Sequence, residues 1–195
     1  QLLHFPPDET FTYLDYLYSP TNRRWECLLA NNGFKGTRNT LMERIVDVVP
    51  LAAGGGDSDA IAPYNDSFVD YAKQMLAAVL SSKKGKATQP VLAYGSPVRS
   101  WLQAAYPEQL PDKPDVLTLL SLPMGPEGSR TPVLCANHPS AFLYFKDNTA
   151  EENRLIMQQD LIAASWQIQM AARPHRSPKK ALKRARAKWP LSSER

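Results

Sequence analysis

The sequence predicts an α/β layered domain with a mainly parallel central sheet. Short apolar runs ("PVLAYG", "DVLTLLSLP", "PVLCAN") alternate with longer stretches of helical periodicity. Polar turns at residues 6–24, residues 52–66 and Asn137–Ser140 follow runs of strand character. In sheets of this kind the working residues lie on loops past the carboxyl ends of the strands. The chain has 195 residues, 43% apolar and 22% charged, which suits one well-buried core.

The elements follow in order. "QLLHF" reads as a short strand, and the aromatic, turn-rich "PPDETFTYLDYLYSPTNRRW" fits no regular element. "RRWECLLANNGF" predicts a helix with Trp25, Leu28 and Leu29 on one face, stopped by Asn31, Asn32 and Gly33. "TLMERIVDVVPL" runs from a helical turn into a strand, and "AAGGGDSDAIAPYND" is a loop. "SFVDYAKQMLAAVLSS" predicts an amphipathic helix with Phe68, Tyr71, Met75, Leu76 and Val79 on one side and Ser67 as its cap. The strand "PVLAYG" leads into the helix "SPVRSWLQAAY", with Ser96 as cap and Pro97 in first position. After the proline loop "PEQLPDKP" come the strand "DVLTLLSLP", the turn "MGPEGSRT" and the strand "PVLCAN". "TAEENRLIMQQDLIAASWQIQMAA" is a long helix, and "SPKKALKRARAKW" is also competent to form one. Trp25, Trp101 and Trp166 are expected in the core, and Cys27 and Cys135 as buried thiols.

Charge is segregated. Of 23 Lys/Arg and 19 Asp/Glu, residues 173–195 hold nine and one, leaving residues 1–172 with 14 and 18, a net of −4. The reading is therefore a domain over residues 1–172 and a basic tail over 173–195. Its Arg173, Arg176, Lys179, Lys180, Lys183, Arg184, Arg186 and Lys188 are expected to bind nucleic acid rather than only to solubilise the chain. No apolar run reaches the roughly 18 residues of a membrane span, so no membrane partner is expected. Two distant cysteines without a CxxC suggest a reducing compartment. Three lone histidines and scattered acids make no metal constellation, and the acidic 54–66 loop lacks EF-hand spacing, so neither metal nor cofactor is expected. The chain starts at Gln1 rather than Met, from which an upstream piece is expected to be missing. No secretory signal is recognisable, and the expected location is intracellular: a mitochondrion, with the nucleus as the alternative.

Several segments, in order, resemble the uracil-DNA glycosylase superfamily, most of all its mismatch-specific and deoxyinosine (hypoxanthine) branches. "FPPDETFTYLDYLYSPTNRRW" has the layout of the family's Pro-containing turn, aromatic stretch and N-R-F-W helix start, ending in Asn22, Arg23, Arg24 and Trp25. "IVDVV" and "GDSDAIAPYND" resemble its short W-D-V-V strand and acidic loop. "VLAYGSPVRSWL" matches its strand–Gly–helix unit, "VLCANHPSAFLY" its last strand ending in H-P-S or S-P-A, and "LIAASWQIQ" its closing tryptophan-bearing helix. The similarity spans most of residues 1–170.

The resemblance implies a three-layer α/β/α sandwich. It also implies a pocket for an extruded base, with Asn22, His138 and Asp8 as catalytic residues if the enzyme is active. It places Tyr16, Tyr18 and Asn137 around the base and Pro139, Ser140, Arg23 and Arg24 on phosphate. Read as residues alone, Asn22 is equally a helix cap and His138 a hydrogen-bonded structural residue. The chain also departs from the pattern. His4 and Phe5 stand where the family has glycine, Asp8 and Glu9 put negative charge where DNA passes, and Arg24 replaces Phe. These departures favour a nucleic-acid-binding protein that has lost catalysis. Its expected partners are structured RNA and the neighbouring proteins of a ribonucleoprotein such as a mitochondrial ribosome. The alternative is a monofunctional DNA glycosylase that excises uracil, hypoxanthine or a mismatched base.

Overall fold

The structure is a computed structural model, and it describes residues 20–35, 66–81, 90–139, 148–173 and 176–191. The expected strands at 1–5 and in 40–51, and the 52–65 part of the acidic loop, lie outside them. The described chain is mixed α/β. It contains helices α1 (Pro20–Asn31), α2 (Asp66–Ser81), α3 (Gly95–Ala105), α4 (Ala150–Ala172) and α5 (Pro178–Lys188), and strands β1 (Val91–Tyr94), β2 (Leu119–Leu122) and β3 (Thr131–Ala136).

The three strands lie in the order β1-β3-β2. β1 runs parallel to β3, with Val91 opposite Val133 and Tyr94 opposite Ala136. β2 runs antiparallel to β3, with Leu119 opposite Leu134 and Leu122 opposite Thr131. Among the described residues the sheet is thus mixed, with one pairing of each kind. The cause is local. "MGPEGSRT" folds back tightly enough to make β2 and β3 a hairpin, with Gly125 N–H donating to Ser129 O at 2.9 Å and Gly128 N–H to Gly125 O at 3.1 Å. A parallel pair needs a longer crossover than this. β2 begins four residues after Asp115, where the expected strand began. Leu117 takes a left-handed φ of 65°, which breaks regular extension while its N–H still bonds Cys135 O at 2.8 Å.

Alternation along β3 feeds two apolar clusters. Leu134 and Ala136 face one that contains Trp25, Leu28, Leu29, Ile162, Trp166 and Met170 from α1 and α4. Val133 and Cys135 face the other, with Trp101 and Leu102 of α3 and Val69 and Ala72 of α2. Helices therefore cover both faces. Trp25, Trp101 and Trp166 are all buried, as the sequence predicts. Cys135 is buried too, and burial pushes its thiol up to about 11, whereas Cys27 is exposed on α1. On α2 the buried line is Val69 and Ala72, with Leu76 and Leu80 beside it, while Tyr71 and Met75 are exposed. The buried line is thus rotated from the expected face toward Val69 and Ala72.

Local chemistry sets the ends. α1 closes in a Schellman motif on Gly33 (φ 81°): Gly33 N–H bonds Ala30 O at 2.8 Å and Phe34 N–H bonds Leu29 O at 3.1 Å. α4 opens with a capping box. Glu152 N–H donates to Thr149 Oγ1 at 3.2 Å, and Thr149 N–H donates to Glu152 Oε2 at 2.7 Å. α3 starts a residue before the expected Ser96 cap, after Tyr94, with no side-chain cap bond.

The basic segment, expected as a tail after the domain, packs onto it. Ala181, Leu182 and Ala185 of α5 belong to the same cluster as Trp166 and Leu134. Trp166 Nε1 donates to Pro178 O at 3.2 Å, and Gln158 Nε2 donates to Pro190 O at 3.1 Å. Asn32 joins three helices. Its Nδ2 donates to Leu28 O at 3.0 Å and Leu161 O at 3.1 Å, and its Oδ1 accepts from Trp189 Nε1 at 2.8 Å.

Candidate functional site

Two regions carry the residues singled out from the sequence. The first lies at the carboxyl ends of β1 and β3, which the parallel register sets side by side. β1 ends in Tyr94 and is followed at once by Gly95, and β3 runs into Asn137 and His138. Gly95 has φ 85°, and a Cβ placed on it would lie 3.2 Å from the Cβ of His138, so the two strand ends meet where any other residue would be strained and crowded. Trp25 of α1 stands edge-on to Tyr94, with ring centroids 5.2 Å apart. Its Nε1 donates to Gln167 Oε1 of α4 at 3.2 Å.

Asp160, midway along α4, ties the segments together. Its Oδ2 accepts from Arg24 Nη2 at 2.7 Å, and its Oδ1 accepts from Asn137 Nδ2 at 3.1 Å. Asn137 Nδ2 also donates to Gln159 Oε1 at 3.0 Å. The Asp160 side chain is 3% exposed and that of Arg24 is 11% exposed, so this pair is internal. Burial pushes the Asp160 carboxyl above the usual carboxylate range, against the opposing pull of the bonds from Arg24 and Asn137 and of the Arg24 charge.

The N-R-R-W helix and the N-H-P turn are therefore brought together, through Asp160. Arg24 and the Asn137 amide nitrogen, expected on phosphate and on a base, are turned inward onto that carboxylate. Arg23 is exposed on α1, His138 is half-buried and Pro139 is buried. Asn22 lies on the first turn of α1. Asp8, Tyr16, Tyr18 and Ser140 lie outside the described residues. Sequence reasoning missed Asp160, although a signal existed. It is the acid in the run "QQDLIAASW", whose following residues are apolar or small. A carboxylate in such surroundings requires a cationic or amide partner from elsewhere in the chain.

The second region is the outer face of α5. At about 100° per residue, the buried Ala181, Leu182 and Ala185 define one side, and Lys179, Lys180, Lys183 and Arg184 centre on the opposite one. All four are exposed, as are Arg173, Arg186 and Lys188. Residues 173–191 contain no acid, and among the described residues none of these cations is in a salt bridge. Three make other contacts: Arg186 Nη2 with Leu117 O at 3.4 Å, Lys188 Nζ with Asn32 O at 3.2 Å, and Arg176 Nη1 with Gln169 Oε1 at 3.2 Å. The row on α5 is thus carried by a helix packed into the core, and among the described residues no acid pairs with it. Among the described residues no three His, Cys, Asp or Glu side chains gather to hold a metal ion. No described helix is long and apolar enough to cross a membrane. Comparison with protein-family models, curated proteins and solved structures returned no match to this chain.

Proposed function

We propose that this chain is a nucleic-acid-binding protein that lies against structured RNA through the cationic face of α5, inside a ribonucleoprotein such as a mitochondrial ribosome. In this reading it keeps a uracil-DNA-glycosylase-like three-layer frame and has lost catalysis. The observation that carries it is the row of Lys179, Lys180, Lys183 and Arg184, exposed and, among the described residues, without acidic partners, while the helix beneath packs into the core. Clustered cations on a fixed support bind phosphate by releasing counterions, whatever the sequence of the nucleic acid. Further support comes from Arg24 and Asn137. Two groups that a base-excision site would direct at DNA are occupied within the protein.

The test is binding of a structured RNA hairpin as a function of salt. Replacing Lys179, Lys180 and Lys183 together by Gln should weaken binding at low salt and flatten the salt dependence by about two to three in log–log slope. Unchanged affinity and slope would end the proposal.

One observation favours the rival reading, a DNA glycosylase: the N-R-R-W helix and the N-H-P turn meet at the carboxyl edge of the parallel pair. That reading requires wild-type protein to release uracil or hypoxanthine from an oligonucleotide and His138→Ala to slow the release. An inactive wild type at high protein concentration removes it.

A further inference from the structure

The junction between α4 and α5 holds a second arrangement of cations, built differently from the lysine row. Ser165 is buried on α4, and its Oγ accepts from Gln169 Nε2 at 3.4 Å. Gln169 Oε1 in turn accepts from Arg176 Nη1 at 3.2 Å. This short relay, anchored in the core, holds the half-buried Arg176 guanidinium by one nitrogen. Arg176 N–H bonds Arg173 O at 3.0 Å, which brings the backbones of both arginines together at the entry to α5. Arg184 stands seven residues past Ser177, two helical turns along and on the same side of α5. Partial burial, and then the positive charges of Arg184 and Arg173, push Arg176 below the ordinary guanidinium value. A guanidinium in this range stays charged. Among the described residues none of the three forms a salt bridge.

We propose that Arg173, Arg176 and Arg184 form a phosphate clamp at the α4–α5 junction, with Gln169 as the residue that positions Arg176. The inference rests on the reading of the chain as a nucleic-acid binder and deepens it. The lysine row supplies diffuse attraction, and the clamp fixes where one backbone phosphate sits. Like charges gathered at one junction, with no salt bridge to any of them among the described residues, are relieved by an anion. The planar guanidinium fork matches phosphate oxygens in a way a flexible ammonium does not. Gln169 holds one nitrogen of Arg176 and so limits the directions its other donors can take. The phosphate group is the shared chemistry of a nucleic-acid backbone and of a free phosphorylated molecule.

The full chain and two variants, Arg176→Lys and Gln169→Ala, are compared with a structured RNA hairpin and with inorganic phosphate as probes. Arg176→Lys keeps the charge and should still weaken hairpin binding about tenfold, the loss expected for charge-assisted hydrogen bonds. Gln169→Ala should weaken it several-fold, at about the level of a single oriented contact, with an unchanged salt slope because no charge is removed. A merely structural role for Gln169 would not affect binding by the folded protein. Hairpin binding at wild-type strength by both variants overturns the clamp. Should wild type ignore the hairpin, phosphate decides. Thermal stabilisation of wild type, absent in Arg176→Lys, keeps the clamp for a free phosphorylated ligand and refutes the RNA reading. No response to either probe overturns the clamp.

Discussion

Arg24 and Arg184 are the same residue type in opposite circumstances. Arg24 is nearly buried and meets Asp160 at 2.7 Å, while Arg184 is exposed and, among the described residues, forms no salt bridge. The first belongs to a body of net −4, the second to a segment of concentrated positive charge. The Arg24 charge holds two elements together, and the Arg184 charge faces outward. Buried pairs recover little net energy, because desolvation cancels most of the attraction, but they fix geometry and are costly to break from one side. Exposed charges contribute little to folding and act on partners instead.

The sharpest way to break this contrast is to remove Asp160. Asp160→Ala leaves Arg24 partly buried without its carboxylate and Asn137 without one of its acceptors. The expected loss is about 3 to 5 kcal/mol of folding stability, measured by urea unfolding, the usual result of orphaning one member of a buried pair. The protein that remains folded should bind RNA as wild type does. A loss below about 1 kcal/mol would place Arg24 in solvent and erase the difference between the two regions.

A smaller effect is expected where the basic segment joins the core. Asn32 offers its side-chain nitrogen to Leu28 O and Leu161 O and its oxygen to Trp189. Asn32→Ala leaves these groups without that partner and should destabilise the protein by about 1 to 3 kcal/mol. It leaves every charge on α5 in place. If α5 works only when rigidly mounted, the variant weakens RNA binding as well. Binding at full strength by the folded variant would show that charge matters there and mounting does not.

Much of this was legible in the sequence, though unevenly. The three tryptophans and the helix stop at Asn31–Gly33 follow from apolar spacing and turn chemistry, which act locally. The hairpin was signalled by "MGPEGSRT", a short turn that cannot support a parallel crossover, yet the alternation of strands and helices pointed to parallel pairing. The spacing that puts Tyr71 and Met75 inside fits either of two adjoining stripes of the helix, and the structure buries the one that holds Val69 and Ala72. The docking of α5 was masked by its charges, although Ala181, Leu182 and Ala185 form an apolar stripe of helical spacing. At the strand ends, "NRRW" and "ANHP" were read as meeting, and both do reach Asp160. Their turning inward onto one acid was not legible, since it depends on residues 136 and 23 positions apart packing around α4.

The finest test concerns pH and falls on Asp160 alone. Its folded carboxyl is raised by burial more than the Arg24 and Asn137 contacts lower it. The folded chain therefore takes up that proton more readily than the unfolded chain, whose carboxyl titrates near about 3.9. The stability this contributes is fully present below the unfolded value and is lost as pH rises through the folded one. Asp160→Asn removes the titration. Wild type should accordingly exceed this variant by most in acid, and the gap should narrow as pH rises past the ordinary carboxylate value, measured by paired urea midpoints. A gap that widened instead would mean that the Arg24 charge outweighs burial. The pair would then be a net source of stability, and the carboxyl edge would differ from α5 in strength as well as in direction.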